Sequence, residues 1–333
     1  MGELYTEFAY DDAFRTMTVK CDDLLLPFLN YTFGEHYDKT AMVIKEANEH
    51  LIDRGIEVNE RRITDGLVQV SMDGVVKKYH TECESSSDDG TILIRLFEYD
   101  AQIALEDRAY NNYRLKVRFP NTAVLFLRSR RSTPEEMYVD IVTPGGGCSY
   151  PVKVVKLNEI NIDALFDKHL YFLLPFYLFT RESELPLMER NPDKVDELLK
   201  EYDVILSRLT EAVENNFLSA FSRGVIIKLI KEVNEKLTNK YKNVNERVGE
   251  YMGGKVLDID IIKAHDEGVA EGEARGEARG EARGEARGEA RGEAKGDISA
   301  IKNLMKNAEK TFEQACELLG INKEKQNIYK NQI

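Results

Sequence analysis

The chain has 333 residues and a formal net charge of −13. That length buries a full core and divides into more than one unit. The acidic balance excludes a protein that grips nucleic acid through its whole surface, leaving a local basic groove as the only route to such a partner.

Four cysteines, Cys21, Cys83, Cys148 and Cys316, stand apart with no CxxC spacing. Neither a zinc site nor a disulfide framework is implied, and a reducing, cytoplasmic compartment is expected. The first residues are acidic where a secretion signal is basic. The longest apolar stretch, Leu170 to Phe179, contains Pro175 and is too short to cross a bilayer, so no membrane partner is expected.

From Ala9 to Phe33, an acidic start at Asp11-Asp12, a run of leucines and a stop at Gly34 predict one or two amphipathic helices. Val43 to Ile52 is expected to be a second helix or an irregular segment. Arg61 to Glu84 reads as a hairpin of two strands joined at Met72-Asp73-Gly74-Val75, because Asp-Gly between alternating runs is a strong two-residue turn signal. A two-residue loop at Asp73-Gly74 sets Asp65 directly opposite Glu82, with Glu84 two residues along on the same face. Opposed carboxylates repel unless a positive charge sits between them. A divalent cation answers that need, and magnesium takes one or two carboxylates while keeping water and phosphate for its other positions.

Thr91 to Asp107 is predicted as a long helix with Leu93, Leu96, Phe97, Ile103 and Ala104 on one stripe and Arg95, Glu98 and Gln102 beside it. Tyr113 to Phe119 alternates as a half-buried strand, and Thr122 to Leu127 is a continuous apolar run suited to a buried central strand. Met137 to Val142 and Pro151 to Leu157 flank Gly145-Gly146-Gly147 as a further hairpin. Residues 1–160 thus form a mixed α/β unit.

From 161 to 252 helical periodicity dominates and predicts an all-helical unit. Residues 253–296 hold a Gly-Glu-Ala-Arg repeat running from Gly272 to Lys295. Its period of four stacks like charges four apart, and each glycine costs a helix roughly 1 kcal/mol. The repeat is either a solvated spacer or a glycine stripe for close helix pairing. In 297–333, Asp297 starts one short helix, and Thr311 with Gln314 has the capping-box spacing for another, ending at Gly320.

Several stretches together resemble a known family. They are Arg62-Ile63-Thr64-Asp65, Tyr79-His80-Thr81-Glu82-Cys83-Glu84-Ser85, Ile94-Arg95-Leu96-Phe97-Glu98-Tyr99-Asp100, Phe119-Pro120-Asn121, Leu173-Leu174-Pro175-Phe176 and Met252-Gly253-Gly254-Lys255. In this order they are similar to the PD-(D/E)XK nuclease family transposases, the recombination-promoting nucleases of mobile elements. The resemblance implies an α/β, restriction-endonuclease-like core, a mixed sheet flanked by helices, followed by the helical unit and the charged tail. It implies a Mg2+- or Mn2+-dependent DNA endonuclease acting in DNA recombination, with Asp65 and Glu82 as metal ligands and Glu84 in the third motif position.

That third position is usually Lys or Gln, and a lysine there stabilises developing phosphate charge, which Glu84 cannot do. Glu84 either binds the metal or serves as general base, as in restriction enzymes that carry Glu at this place, or cleavage is lost and a DNA-binding or protein-interaction module remains. Arg95 either contacts the scissile phosphate or pairs with Glu98 or Asp100. Asp12 either caps its helix or adds an outer carboxylate. His80 shares the carboxylate face without a second ligand spacing. Lys77, Lys78, Arg114, Lys116, Arg118 and Arg128 to Arg131 are either a DNA-facing surface or a solvated one. The partners expected are DNA and, through the helical unit or the repeat tail, further copies of the chain; a purely structural protein organised by the repeat is the remaining class.

Overall fold

In the computed structural model, residues 4–45, 49–52, 60–86, 90–106, 108–111, 113–253, 296–307, 310–321, 326 and 329 are described. The chain forms two compact units, Met1–Ile262 and Lys263–Ile333. The repeat from Gly272 to Lys295 lies outside the described residues.

The first unit begins with α1 (Leu4–Lys20) and α2 (Asp22–Phe33). Tyr10, Ala13, Phe14 and Met17 of α1 recur at helical spacing and are all buried. Gly34 closes α2 in the left-handed region at φ 68° and donates its amide to the Asn30 carbonyl, the expected stop. The next segment corrects the expected helix or irregular segment over Val43 to Ile52: β1 (Met42–Lys45) and β2 (Glu49–Ile52) are strands, and β2 pairs with β3 (Glu60–Ile63) in a separate ribbon. Runs of four residues are too short for periodicity to separate strand from helix.

The hairpin comes next, β4 (Gly66–Met72) and β5 (Val75–Glu84). Met72 pairs with Val75 and Gly66 with Thr81, so the register is the one the two-residue turn dictates. Asp73 and Gly74 both take positive φ, 52° and 78°, as a turn matched to the strands' twist requires.

α3 (Ile92–Glu106) then crosses to β8 (Asn121–Phe126), which runs parallel to β5. Between them, β6 (Ala109–Asn111) and β7 (Arg114–Lys116) form a two-stranded ribbon. All three residues of β7 are exposed, which corrects the half-buried strand expected over Tyr113 to Phe119. β9 (Glu136–Thr143) and β10 (Gly146–Lys156) make the last hairpin, as expected. The six-stranded mixed sheet has the order β1-β4-β5-β8-β10-β9, with the parallel strands β5, β8 and β10 at its centre.

One sheet face presents Val68, Val70, Tyr79, Cys83 and Leu125 to α1 and α2; the other presents Val124, Phe126 and Val152 to Ile92 and Leu96 of α3. The remaining helices are α4 (Ile162–Asp167), a 3-10 stretch over Tyr171–Glu184, α5 (Leu185–Met188), α6 (Pro192–Glu214), α7 (Ala220–Leu237) and α8 (Lys242–Gly253). One hydrophobic cluster runs from Tyr10 to Met252, and at its centre Phe172 stacks on Phe28 at 4.7 Å and meets Phe14 edge-on at 4.9 Å. The boundary read near residue 160 is therefore a change of element type inside one core. No described helix is long and apolar enough to cross a membrane.

In the second unit a helix over 296–307, α9, precedes α10 (Phe312–Leu318). Thr311 and Gln314 form the expected capping box, and Gly320 takes φ 67°. Ile301, Ala315, Cys316, Ile321 and Tyr329 make a small core of their own.

Candidate functional site

Side chains alternate along β5, so His80, Glu82 and Glu84 share the face that α3 covers. Glu82 lies beside Val124 in the parallel ladder. Asp65 sits one residue beyond the last β4 pair, where the ladder would continue to Glu82, and its amide donates to Glu82 Oε1 at 3.1 Å. The ladder itself ends at Gly66 and Thr81, and Asp65 meets Glu82 through that side-chain bond rather than as a strand pair. Both residues are buried, Asp65 at 5% exposure and Glu82 at 3%.

Asp65 is held from two sides. The Cys83 amide donates to its Oδ2 at 3.0 Å, and Arg15 Nη2 of α1 donates to its Oδ1 at 3.3 Å. Burial drives the Asp65 carboxyl well above the usual carboxylate range, the charges of Glu82 and Asp11 raise it further, and the Cys83 amide and Arg15 only partly offset them.

Glu82 is oriented by a buried chain. Asp100 of α3 accepts from Thr122 Oγ1 at 2.8 Å and from Tyr150 Oη at 3.2 Å. Its other oxygen meets His80 Nδ1 at 2.7 Å, and His80 Nε2 meets Glu82 Oε1 at 3.1 Å. Burial opposes a charged imidazole, but the two carboxylates outweigh it and raise His80 to about 9, so both ring nitrogens donate.

Arg95 leaves α3 toward the same place. Its Nη2 donates to Glu84 Oε2 at 3.0 Å and lies 3.6 Å from Glu82 Oε2; neither Glu98 nor Asp100 takes it. Burial would lower the Arg95 guanidinium, yet Glu82 and Glu84 raise it. Glu84 also accepts from the Ser86 amide at 2.9 Å.

The structure thus brings Asp65, Glu82, Glu84, Arg95 and His80 to one end of the sheet, at the carboxyl end of β5. It does not bring Asp12 there as a cap or as a ligand: Asp12 lies well inside α1, exposed and paired with Arg15 at 3.4 Å. Asp11 is the α1 carboxylate whose charge reaches Asp65. Arg15 carries no local motif, Asp11 reads only as part of a helix start and Asp100 only as a partner for Arg95; the packing of α1 and α3 on the sheet reveals their place at this site.

Among the basic positions, Lys77 pairs with Glu35 at 2.8 Å, and Arg128 forms a two-pronged pair with Glu182 at 2.6 and 2.7 Å while lying 4.7 Å over Phe179. Both are structural.

A divalent cation fits the donor set in kind. Asp65 and Glu82 are hard oxygen donors, buried and mutually repelling, and each keeps lone pairs that its present partners leave open. Among the described residues no three of His, Cys, Asp and Glu converge as a metal-holding group. No protein-family model, no curated protein and no solved structure matches the chain.

Proposed function

We propose that the protein is a metal-dependent DNA endonuclease of the PD-(D/E)XK type, working in the cytoplasm, with Asp65 and Glu82 holding Mg2+ or Mn2+. The observation that carries this reading is the buried pair itself. Two carboxylates stand at the end of a central hairpin, and the charge of one raises the proton affinity of the other. Such a pair is costly to a fold; Arg15, His80 and Arg95 relieve part of that cost, and a bound divalent cation would relieve more of it. The bound metal would activate water and neutralise charge on the phosphate oxygens.

The chain's own residues take the remaining roles. His80 and Asp100 hold Glu82 in one orientation, as partners behind a metal ligand do. Glu84 accepts the proton of the attacking water. Arg95 is the cation we assign to the phosphate, supplying the positive charge that Glu84 lacks. Supercoiled plasmid incubated with the protein and Mg2+ should be nicked or linearised, and Asp65→Ala should abolish this. Plasmid left intact by the wild type in both Mg2+ and Mn2+ overturns the reading.

One observation favours a second reading, a nuclease scaffold that binds DNA or protein without cutting. Arg95 already spans Glu82 and Glu84, partly neutralising the cluster from within. Binding that is indifferent to metal and to Asp65→Ala would select it.

A further inference from the structure

We propose that the β6–β7 ribbon (Ala109–Asn111 and Arg114–Lys116), with Arg118 beside it, is a docking arm for duplex DNA that lies in the major groove with Tyr113 at its tip. The choice of partner rests on the nuclease reading.

The segment reads RAYNNYRLKVR, four basic residues and no acidic one, in a chain of net charge −13. Arg108, Arg114, Lys116 and Arg118 are all exposed, and among the described residues Arg114, Lys116 and Arg118 enter no ion pair. In this they differ from Lys77 and Arg128, which Glu35 and Glu182 occupy. Arg114 and Lys116 point to the same side of β7 about 7 Å apart, roughly the axial rise of two phosphates along one DNA strand. A two-stranded ribbon is an element that the major groove, about 12 Å wide, admits.

The tip supplies an independent sign. Asn111 pairs with Arg114, so the connection is two residues long. Its second residue, Tyr113, sits at φ 65° and is 96% exposed. Glycine takes that conformation without strain, and hairpin turns of this length favour it. A bulky aromatic held in the left-handed region at a fully solvated tip gains nothing from the fold. Strain of this kind gathers where a side chain must be displayed.

The root of the ribbon is fixed. Phe119 stacks on Phe97 of α3 at 6.3 Å and meets Tyr150 of β10 at 5.3 Å. α3, with 15 residues, separates the ribbon from the carboxylate end of the sheet by about 22 Å.

The test uses the full chain, a fluorescent 30-base-pair duplex, and EDTA to prevent turnover. Arg114→Ala/Lys116→Ala/Arg118→Ala should lower the slope of log K against log salt by about 3, the value for three lost phosphate contacts. Tyr113→Gly should leave Tm unchanged or raised yet weaken binding at least about fivefold, the loss of one modest base contact. Wild-type affinity and salt slope in these variants overturn the proposal, as does absence of duplex binding by the wild type or its displacement by equimolar polyglutamate or single-stranded RNA. An uncut plasmid combined with ribbon-dependent binding would sink the nuclease reading and leave this one standing. A plasmid cut equally well by the ribbon variants would do the reverse.

Discussion

His80 donates to a carboxylate from each ring nitrogen, which makes the site's pH behaviour calculable. Its folded value of about 9 lies above the ordinary 6.5, so the stabilisation is complete below about pH 6.5 and is lost as pH rises through about 9. The size is on the order of 3 kcal/mol. Tm of the metal-free protein should fall across that window, and His80→Gln should flatten the fall while lowering Tm at pH 6. Asp65 acts in the same direction: with its carboxyl raised, ionising it costs the fold stability as pH rises through the raised value. Asp65→Asn should therefore raise Tm at pH 8 without metal and erase the increment that Mg2+ gives the wild type. A metal-dependent rise that survives Asp65→Asn would remove Asp65 from the ligand set. Of these residues, Asp65, Glu82 and Glu84 were legible because one turn fixes their alignment. Arg15 and Asp100 were not, since each reaches the site from a helix whose packing on the sheet no local pattern encodes.

At the scale of elements, Gly66 marks where α1 presses on the sheet. A Cβ there would stand 2.5 Å from Thr81 Oγ1 and 3.3 Å from the Phe14 ring. Thr81 is branched at Cβ and cannot swing clear, so Gly66→Ala should destabilise by about 1 to 3 kcal/mol. Urea unfolding would show a lower midpoint at unchanged m. The same close approach brings Arg15 to Asp65, and activity should fall with stability. The hairpin, α3, β8 and the capping box at Thr311 were readable because each is specified by neighbours in sequence. β1 and β7 were misread for the opposite reason. β1 gains its strand identity from β4, with Val43 opposite Val70; among the described residues β7 pairs with β6 alone and all its residues are exposed, so its alternation signals no buried face.

Across the first unit, one face of the sheet and the helices after residue 160 draw on one core. Phe172, Leu173, Leu174 and Phe176 are fully buried in the cluster that also holds Phe14 and Leu25. A fragment ending at residue 160 would expose that surface and should be recovered insoluble. One ending at Gly253 should unfold in a single cooperative transition with a Tm close to that of the full chain. Recovery of a stable, monomeric 1–160 fragment would show instead that two cores exist. Periodicity announced the helices after Ile162 but could not say what they cover, because a buried stripe looks the same whichever partner it meets.

The turn at Asp73-Gly74 lies eight residues from Asp65, about 27 Å of extended strand. Hairpin loops are usually where chains absorb insertions without consequence. Here one added residue either bulges out of the turn or slides β5 along β4, and a slide by one sends Glu82 to the opposite face. The spacing between Asp65 and Glu82 is thus a constraint on heredity: in any descendant that keeps the carboxylate pair, insertions and deletions between them must come in compensating numbers.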